Sequence, residues 1–169
     1  MATYKIDPAH SEIHFKVKHL MITTVTGSFS KFDATLTADK EDFTDAAISF
    51  EADIDSITTN SEQRDGHLKS DDFFSVDKFA KATLVTKSAT PIANAKAGSA
   101  NYNVVADLTI KGITKEISFP AQIIIAKDKV IANAEFAVDR TLFDIKYTGM
   151  ADNLIENNFM VNVRVVATK

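Results

Sequence analysis

Three sets of side chains in this sequence are of types that do chemistry. His10, Glu12 and His14 would share a face if all three lay on one strand, and imidazole and carboxylate groups are metal ligands. All would come from a single element, however, and no second His, Asp or Glu set completes a coordination sphere. His10 is therefore expected to cap a strand and His14 to point outward among lysines, with no metal bound. Arg64, Asp65 and His67 form the second set. Arg64 and His67 are three apart, hence neighbours on a helix surface. They could grip a phosphate or carbonyl head group through charge-assisted hydrogen bonds, or form a solvated face with a local Arg–Asp network. Asp139-Arg140 has the same two readings and leans structural, because an arginine just past an apolar strand ties down a loop. Ser11 adjoins His10, but neighbours on a strand face opposite ways and make no dyad. No G-x-S-x-G elbow, H-E-x-x-H, phosphate loop or dinucleotide fingerprint is present, and the chain has no cysteine. No catalytic residue and no cofactor are expected.

The elements that must position these groups repeat with period two. In Ser11–His19, Ile13, Phe15, Val17 and His19 fall on one face and Glu12, His14, Lys16 and Lys18 on the other, the pattern of a half-buried strand. Ala47–Ile54 repeats it with Phe50 and Ile54, and Asn101–Lys111 with Tyr102, Val104 and Leu108. Lys115–Ile125 aligns Ile117 with Phe119, Lys129–Asp139 aligns Phe136 with Val138, and Phe159–Val165 aligns Val161 with Val163. Val25–Thr37 and Ala80–Ser88 are Thr-rich and extended, so about eight strands are expected. The face opposite the interior, including Lys16, Glu51 and Asp107, should be exposed.

Turn-forming residues separate the strands at Asp39–Asp42, Lys96–Ser99, Lys111-Gly112 and Lys127–Lys129. Pro120 lies inside a strand-like run and implies a bulge or an edge there. One polar helix, capped by Asn60 or Ser61, should cover Ser61–Lys69, and a second short helix is expected around Asp152–Asn157. Neither can cover a sheet. An all-β chain of about eight strands must close on itself as a sandwich or antiparallel barrel. Ala52, Ala106, Ala121, Ala132 and Ala134 on the interior face could leave a channel among the Phe residues or could be ordinary core packing.

At 169 residues the chain suits one domain over 1–169, and 45% hydrophobic with 25% charged residues is the balance of a globular protein. A net charge of −4 with no basic patch excludes nucleic acid as a partner. No apolar run is long enough to span a bilayer. The N-terminus has neither a basic n-region nor an apolar h-region, which reads as cytoplasmic; a trimmed leader would make the protein periplasmic or secreted.

Several segments together resemble the YceI-like family of polyisoprenoid-binding proteins over nearly the full length. They are Tyr4–Ser11 with Phe15 and His19, Gly27-Ser28-Phe29, Ile57–Asn60, Arg64–Phe74, Leu108–Lys115 and Asp139–Ile145. The resemblance implies an extended lipocalin-like antiparallel barrel with an apolar tunnel for a long-chain ligand: a polyisoprenoid, an isoprenoid quinone or a fatty-acyl derivative. The wall would comprise the inward residues named above with His19, Phe29, Phe73 and Phe74, and the polar head would lie at Arg64, Asp65 and His67. The chain departs from the family pattern at Phe79-Ala80, where Tyr-Pro is usual, and at Ala106, where Gly is common. The expected function is carriage or sequestration of a lipid rather than catalysis, with a homodimer left open. The alternatives are an enzyme acting on a lipid head group and an interaction barrel with a filled core.

Overall fold

A computed structural model describes residues 2–19, 23–39, 45–70, 73–92, 99–145 and 157–169. The expected turns at Asp39–Asp42 and Lys96–Ser99 and the helix near Asp152–Asn157 fall wholly or partly outside them. Eleven strands are present among the described residues: β1 (Ala2–Ile6), β2 (Glu12–His19), β3 (Thr23–Phe29), β4 (Phe32–Ala38), β5 (Ala47–Asp53), β6 (Ile57–Thr58), β7 (Lys81–Ile92), β8 (Ser99–Ile110), β9 (Ile113–Ala126), β10 (Lys129–Asp139) and β11 (Asn158–Thr168). Helix α1 (Glu62–Leu68) lies between β6 and β7.

The eleven segments make eight courses. β1 and β2 pair with successive stretches of β11, β4 and β3 continue the sheet beside them, and β5 and β6 beside those. Each of these three courses is broken once. β7 to β11 follow as unbroken antiparallel neighbours, and Lys5↔Thr168 closes the barrel. The sequence shows Val25–Thr37 as one extended run because the breaks are held from outside their own strands. Ser56 accepts from the Lys31 N–H (3.0 Å), and Asp53 N–H reaches the Lys31 carbonyl (2.9 Å). At the first break, Pro8–His10 form a 3-10 turn, and the Ser11 hydroxyl accepts from Val166 N–H across the sheet (2.9 Å).

Turn chemistry sets the hairpins. Lys111 (φ 53°) and Gly112 (φ 72°) both occupy the left-handed region, as the tight β8–β9 connection requires. Pro120 sits where an edge begins. β9 pairs with β8 throughout but with β10 only from Ala121 onward. Beyond that point no N–H is needed, and the Phe119 and Phe136 rings stack across the parting strands with centroids 4.6 Å apart.

The period-two reading places side chains correctly. Tyr102, Val104, Leu108, Phe119, Val138 and Val161 are buried, and Lys16 is exposed. Glu51 and Asp107 are only half-exposed, because Lys81 reaches Glu51 (2.9 Å) and Lys87 reaches Asp107 (3.7 Å). Lys87 also bonds Glu116 (3.1 Å). These carboxylates, Glu51 for Lys81 and chiefly Glu116 for Lys87, hold both ammonium groups above the ordinary lysine range. Two core clusters form, one around Leu36, Tyr102 and Val130 and the other around Leu108, Val138 and Phe143.

Candidate functional site: an apolar tunnel

The barrel interior is hollow. A cavity of about 220 Å³ runs along it, walled by residues of both core clusters. On β10 the wall extends from Val130 to Val138, eight residues at about 3.3 Å each, or about 20 Å along the axis at the usual strand tilt of about 40°. Spread over that length, the space is narrow. Small residues keep it open: Ala52, Ala121, Ala132 and Ala134 line the cavity, whereas Ala106 is fully buried in packed core and does not. Among the described residues Thr35, Thr83, Thr86 and Arg140 are the polar members of the wall. The Thr86 hydroxyl accepts from Ile48 N–H (2.8 Å), bridging to β5 beside a bulge in β7.

Of the expected tunnel residues, Phe15, Val17, Phe29, Phe50, Ile54, Phe73, Phe74, Val104, Leu108, Phe119, Phe136, Val138, Val161 and Val163 line the cavity. Tyr102 and Ile117 also point inward but pack in the core beside it. The His19 side chain lies outside the described part of the structure. Ile13, Leu36, Ile48, Leu84, Ile145 and Phe159 also line the cavity. Ile13, Ile48 and Phe159 were legible as members of the same alternating faces; Leu36, Leu84 and Ile145 were not.

Gly27 shapes one wall. It faces Phe15 across β2–β3, and a Cβ there would lie 2.3 Å from Phe15 Cζ and 2.9 Å from Thr59 Cγ2. The Phe15 ring occupies the space that glycine leaves and lies tilted at 44° to the Phe29 ring, with centroids 5.6 Å apart.

Arg64, Asp65 and His67 are not on the cavity wall. Ser61 caps α1 by accepting from Arg64 N–H (3.3 Å), and the Arg64 and Asp65 side chains converge on Thr59, which is buried. Asp65 accepts from both Thr59 N–H (2.8 Å) and its hydroxyl (2.6 Å). Arg64 donates from Nε to that hydroxyl (2.8 Å) and from a terminal nitrogen to the Thr59 carbonyl (2.6 Å). The pair braces the helix against the end of β6. The His67 ring meets the edge of Phe73 at 5.0 Å, and Leu68, Phe73 and Phe74 present the apolar side of the segment to the cavity.

His10, Glu12 and His14 do not share a face, because Pro8–His10 are a 3-10 turn rather than strand. His10 Nδ1 lies 2.7 Å from Asp7 and His14 Nε2 lies 3.2 Å from Glu12. Among the described residues no three His, Asp or Glu side chains are placed to hold a metal ion. The His10 bond holds the Asp7 carboxyl below its usual pKa. Phe79, one of the two departures from the family pattern, packs against Gly112 at the β8–β9 turn, away from the cavity.

At the end of β10, Asp139 caps a 3-10 turn (Arg140–Phe143) by accepting from Thr141 N–H (3.0 Å) and hydroxyl (2.6 Å). Arg140 is 3% exposed. It donates to the Ile145 carbonyl (2.8 Å) and belongs to the cavity wall.

Comparison with known proteins agrees with this geometry. The YceI-like domain family matches residues 4–167. UPF0312 proteins of Staphylococcus aureus, among them that of strain MRSA252, are 43% identical over 122 residues, which is 72% of this chain and 66% of the relative. The chain thus matches just under two thirds of the length of those relatives. Among solved structures, BcnA of Burkholderia cenocepacia superposes with a TM-score of 0.87 at 21% identity, covering 96% of this chain and 99% of its own. A polyisoprenoid-binding domain from Saccharophagus degradans gives 0.79 at 14% identity over 98% and 97%. A YceI protein from Campylobacter jejuni gives 0.71 at 28% identity over 100% and 99%.

Proposed function

This chain belongs to the YceI-like family, and on that premise we propose that it binds one long, narrow apolar chain in its barrel and carries or sequesters it. The single observation that carries the reading is the tunnel, whose wall, among the described residues, is hydrocarbon apart from three threonines and one arginine. Its volume is below the about 300–1,000 Å³ common for small-molecule pockets, which favours a linear isoprenoid or acyl chain over a bulky ring system. Each methylene brought in from water contributes about 0.8 kcal/mol. A dozen give about 10 kcal/mol before ordering and association costs are subtracted. The reading needs no catalytic group. A solved neighbour of the same fold is a polyisoprenoid-binding domain, which supports an isoprenoid as the ligand.

Organic extraction of the purified protein followed by mass spectrometry tests the proposal. A long-chain lipid recovered in stoichiometric amount is the expected result. An extract with no lipid, from a protein that also takes up none when offered, overturns it, and a head group altered during incubation would indicate an enzyme instead.

A further inference from the structure

Resting on that reading, we infer that the tunnel is blind at the end nearest the β9–β10 turn, that the ligand enters tail first, and that Ala132 and Ala134 set the length of chain enclosed. The floor comes from four strands. Leu36 on β4, Ile123 on β9, Val130 on β10 and Ala167 on β11 all line the cavity, and none is more than 7% exposed. The inward series runs one position further on β4, to Ala38, and on β9, to Ile125, yet neither of these lines the cavity. The space therefore stops inside the barrel, short of the strand ends. Tyr102 accounts for the closure. It is 2% exposed and belongs to one core cluster with Leu36, Ala38, Ile123 and Val130, but it does not line the cavity.

The four floor side chains are hydrocarbon. A polar group pushed against them would lose its hydrogen bonds to water with none in exchange, so the apolar tail leads. At the opposite end the wall passes to Leu68, Phe73 and Phe74, on and after α1, which are only half-buried. Above the floor, the next inward positions on β10 are Ala132 and then Ala134. Ala132 faces Ile123 and Val165 on the neighbouring strands, and Ala134 faces Ala121; all of these line the cavity. Each inward step is two residues, about 5 Å along the axis at the usual strand tilt. An extended chain advances about 1.2 Å per bond, as the three backbone bonds of a residue do. The wall of about 20 Å thus encloses about sixteen carbons, and each step holds about four. A larger side chain at 132 would raise the floor by one step, and at 134 by two.

The test measures, by calorimetry on the full chain stripped of lipid, the affinity for straight-chain fatty acids from octanoic to docosanoic. In the wild-type protein affinity should rise about three- to fourfold per carbon and level off near about sixteen carbons. Ala132→Leu should leave the shorter acids unchanged and bring the plateau about four carbons earlier, and Ala134→Leu about eight carbons earlier. A wild-type affinity that climbs through the whole series, a plateau that neither substitution moves, or an equal loss at every length overturns the inference and leaves lipid binding intact. Failure of every acid, and of the isoprenoid alcohol geranylgeraniol, to bind overturns the proposed function itself. Should the variants not fold, the wild-type protein decides the matter with a hexadecanoic acid bearing a photoreactive diazirine at the end farthest from its carboxylate. Cross-links to Leu36, Ile123, Val130 or Ala167 are expected, and cross-links confined to residues away from this floor overturn the assignment.

Discussion

Substituting Gly27 should change sign with the residue opposite it. In the wild-type barrel a Cβ at position 27 would meet Phe15 Cζ at 2.3 Å, Cε1 at 2.6 Å and Thr59 Cγ2 at 2.9 Å. Thr59 cannot retreat, because its N–H, hydroxyl and carbonyl are all bonded to Asp65 or Arg64. The Phe15 ring must move, and the space open to it is the tunnel. Overpacking of this kind costs about 1–3 kcal/mol. With about 2–4 °C per kcal/mol for a chain of this size, Gly27→Ala should lower Tm by about 2–12 °C. The displaced ring should also weaken binding of a long-chain lipid. In a Phe15→Ala background the obstacle is gone, and Ala in a strand is favoured over Gly by about 0.5–1 kcal/mol. There the same substitution should be neutral or stabilising. A double-mutant cycle by urea denaturation, with lipid affinity measured in parallel, reads both effects. A Gly27→Ala cost that is the same in both backgrounds would refute the geometry of this wall.

Thr59→Val removes the hydroxyl that joins Arg64 to Asp65 and should destabilise the protein by about 1–3 kcal/mol; Arg64→Ala should lower Tm while leaving lipid affinity intact, and loss of binding without loss of stability would place Arg64 at the ligand instead. Gly112→Ala combines a positive φ with a Cβ 2.9 Å from the Phe79 ring, so a loss above about 1 kcal/mol in urea is expected and an unchanged midpoint would contradict the turn. The Asp7 carboxyl, held down chiefly by its bond from His10, contributes stability that is fully present above the unfolded carboxylate pKa of about 3.9. That contribution disappears as pH falls through the lowered folded value, so Asp7→Asn should flatten this part of the acid limb below about pH 5, and an acid limb identical to wild type would show that the bond does not form in solution. Stripping bound lipid should lower Tm and readdition restore it, since ligand that binds only the folded state stabilises it by mass action.

The strands were legible because a barrel wall imposes a rigid rule: inward and outward residues alternate, and Ile13, Phe15 and Val17 obey it without reference to anything else in the chain. The three breaks were not legible. They depend on bonds such as Ser56 to Lys31 and Ser11 to Val166, between residues far apart in sequence. The hollow interior escaped the pattern for a similar reason. Free volume is the difference between the barrel's girth and the summed size of the inward side chains, and Ala106 and Ala134 look alike in sequence although one is packed and the other borders space. The two readings of Arg64 and Asp65 were separable only once Thr59 was seen to be buried between them. Arg140 carried a signal as well, its place just past an apolar strand beside Asp139, and its bond to the Ile145 carbonyl holds the turn that follows.

The pairing of Lys5 with Thr168 has a consequence for the order in which this barrel can be made. Every other course pairs with a neighbour adjacent in the chain, so most of the wall can assemble hairpin by hairpin as it leaves the ribosome. The closing seam joins the earliest strands to the last one, the longest loop closure the chain allows and the slowest kind of contact to form. Until β11 has emerged, the inner faces of β1 and β2 have no partner and the tunnel has no fourth side. A lipid therefore cannot be enclosed before β11 is in place, and loading must follow closure of the seam. In the interval the unpaired edges of β1 and β2 are open to other strands, so the barrel's most vulnerable moment falls just before its cavity closes.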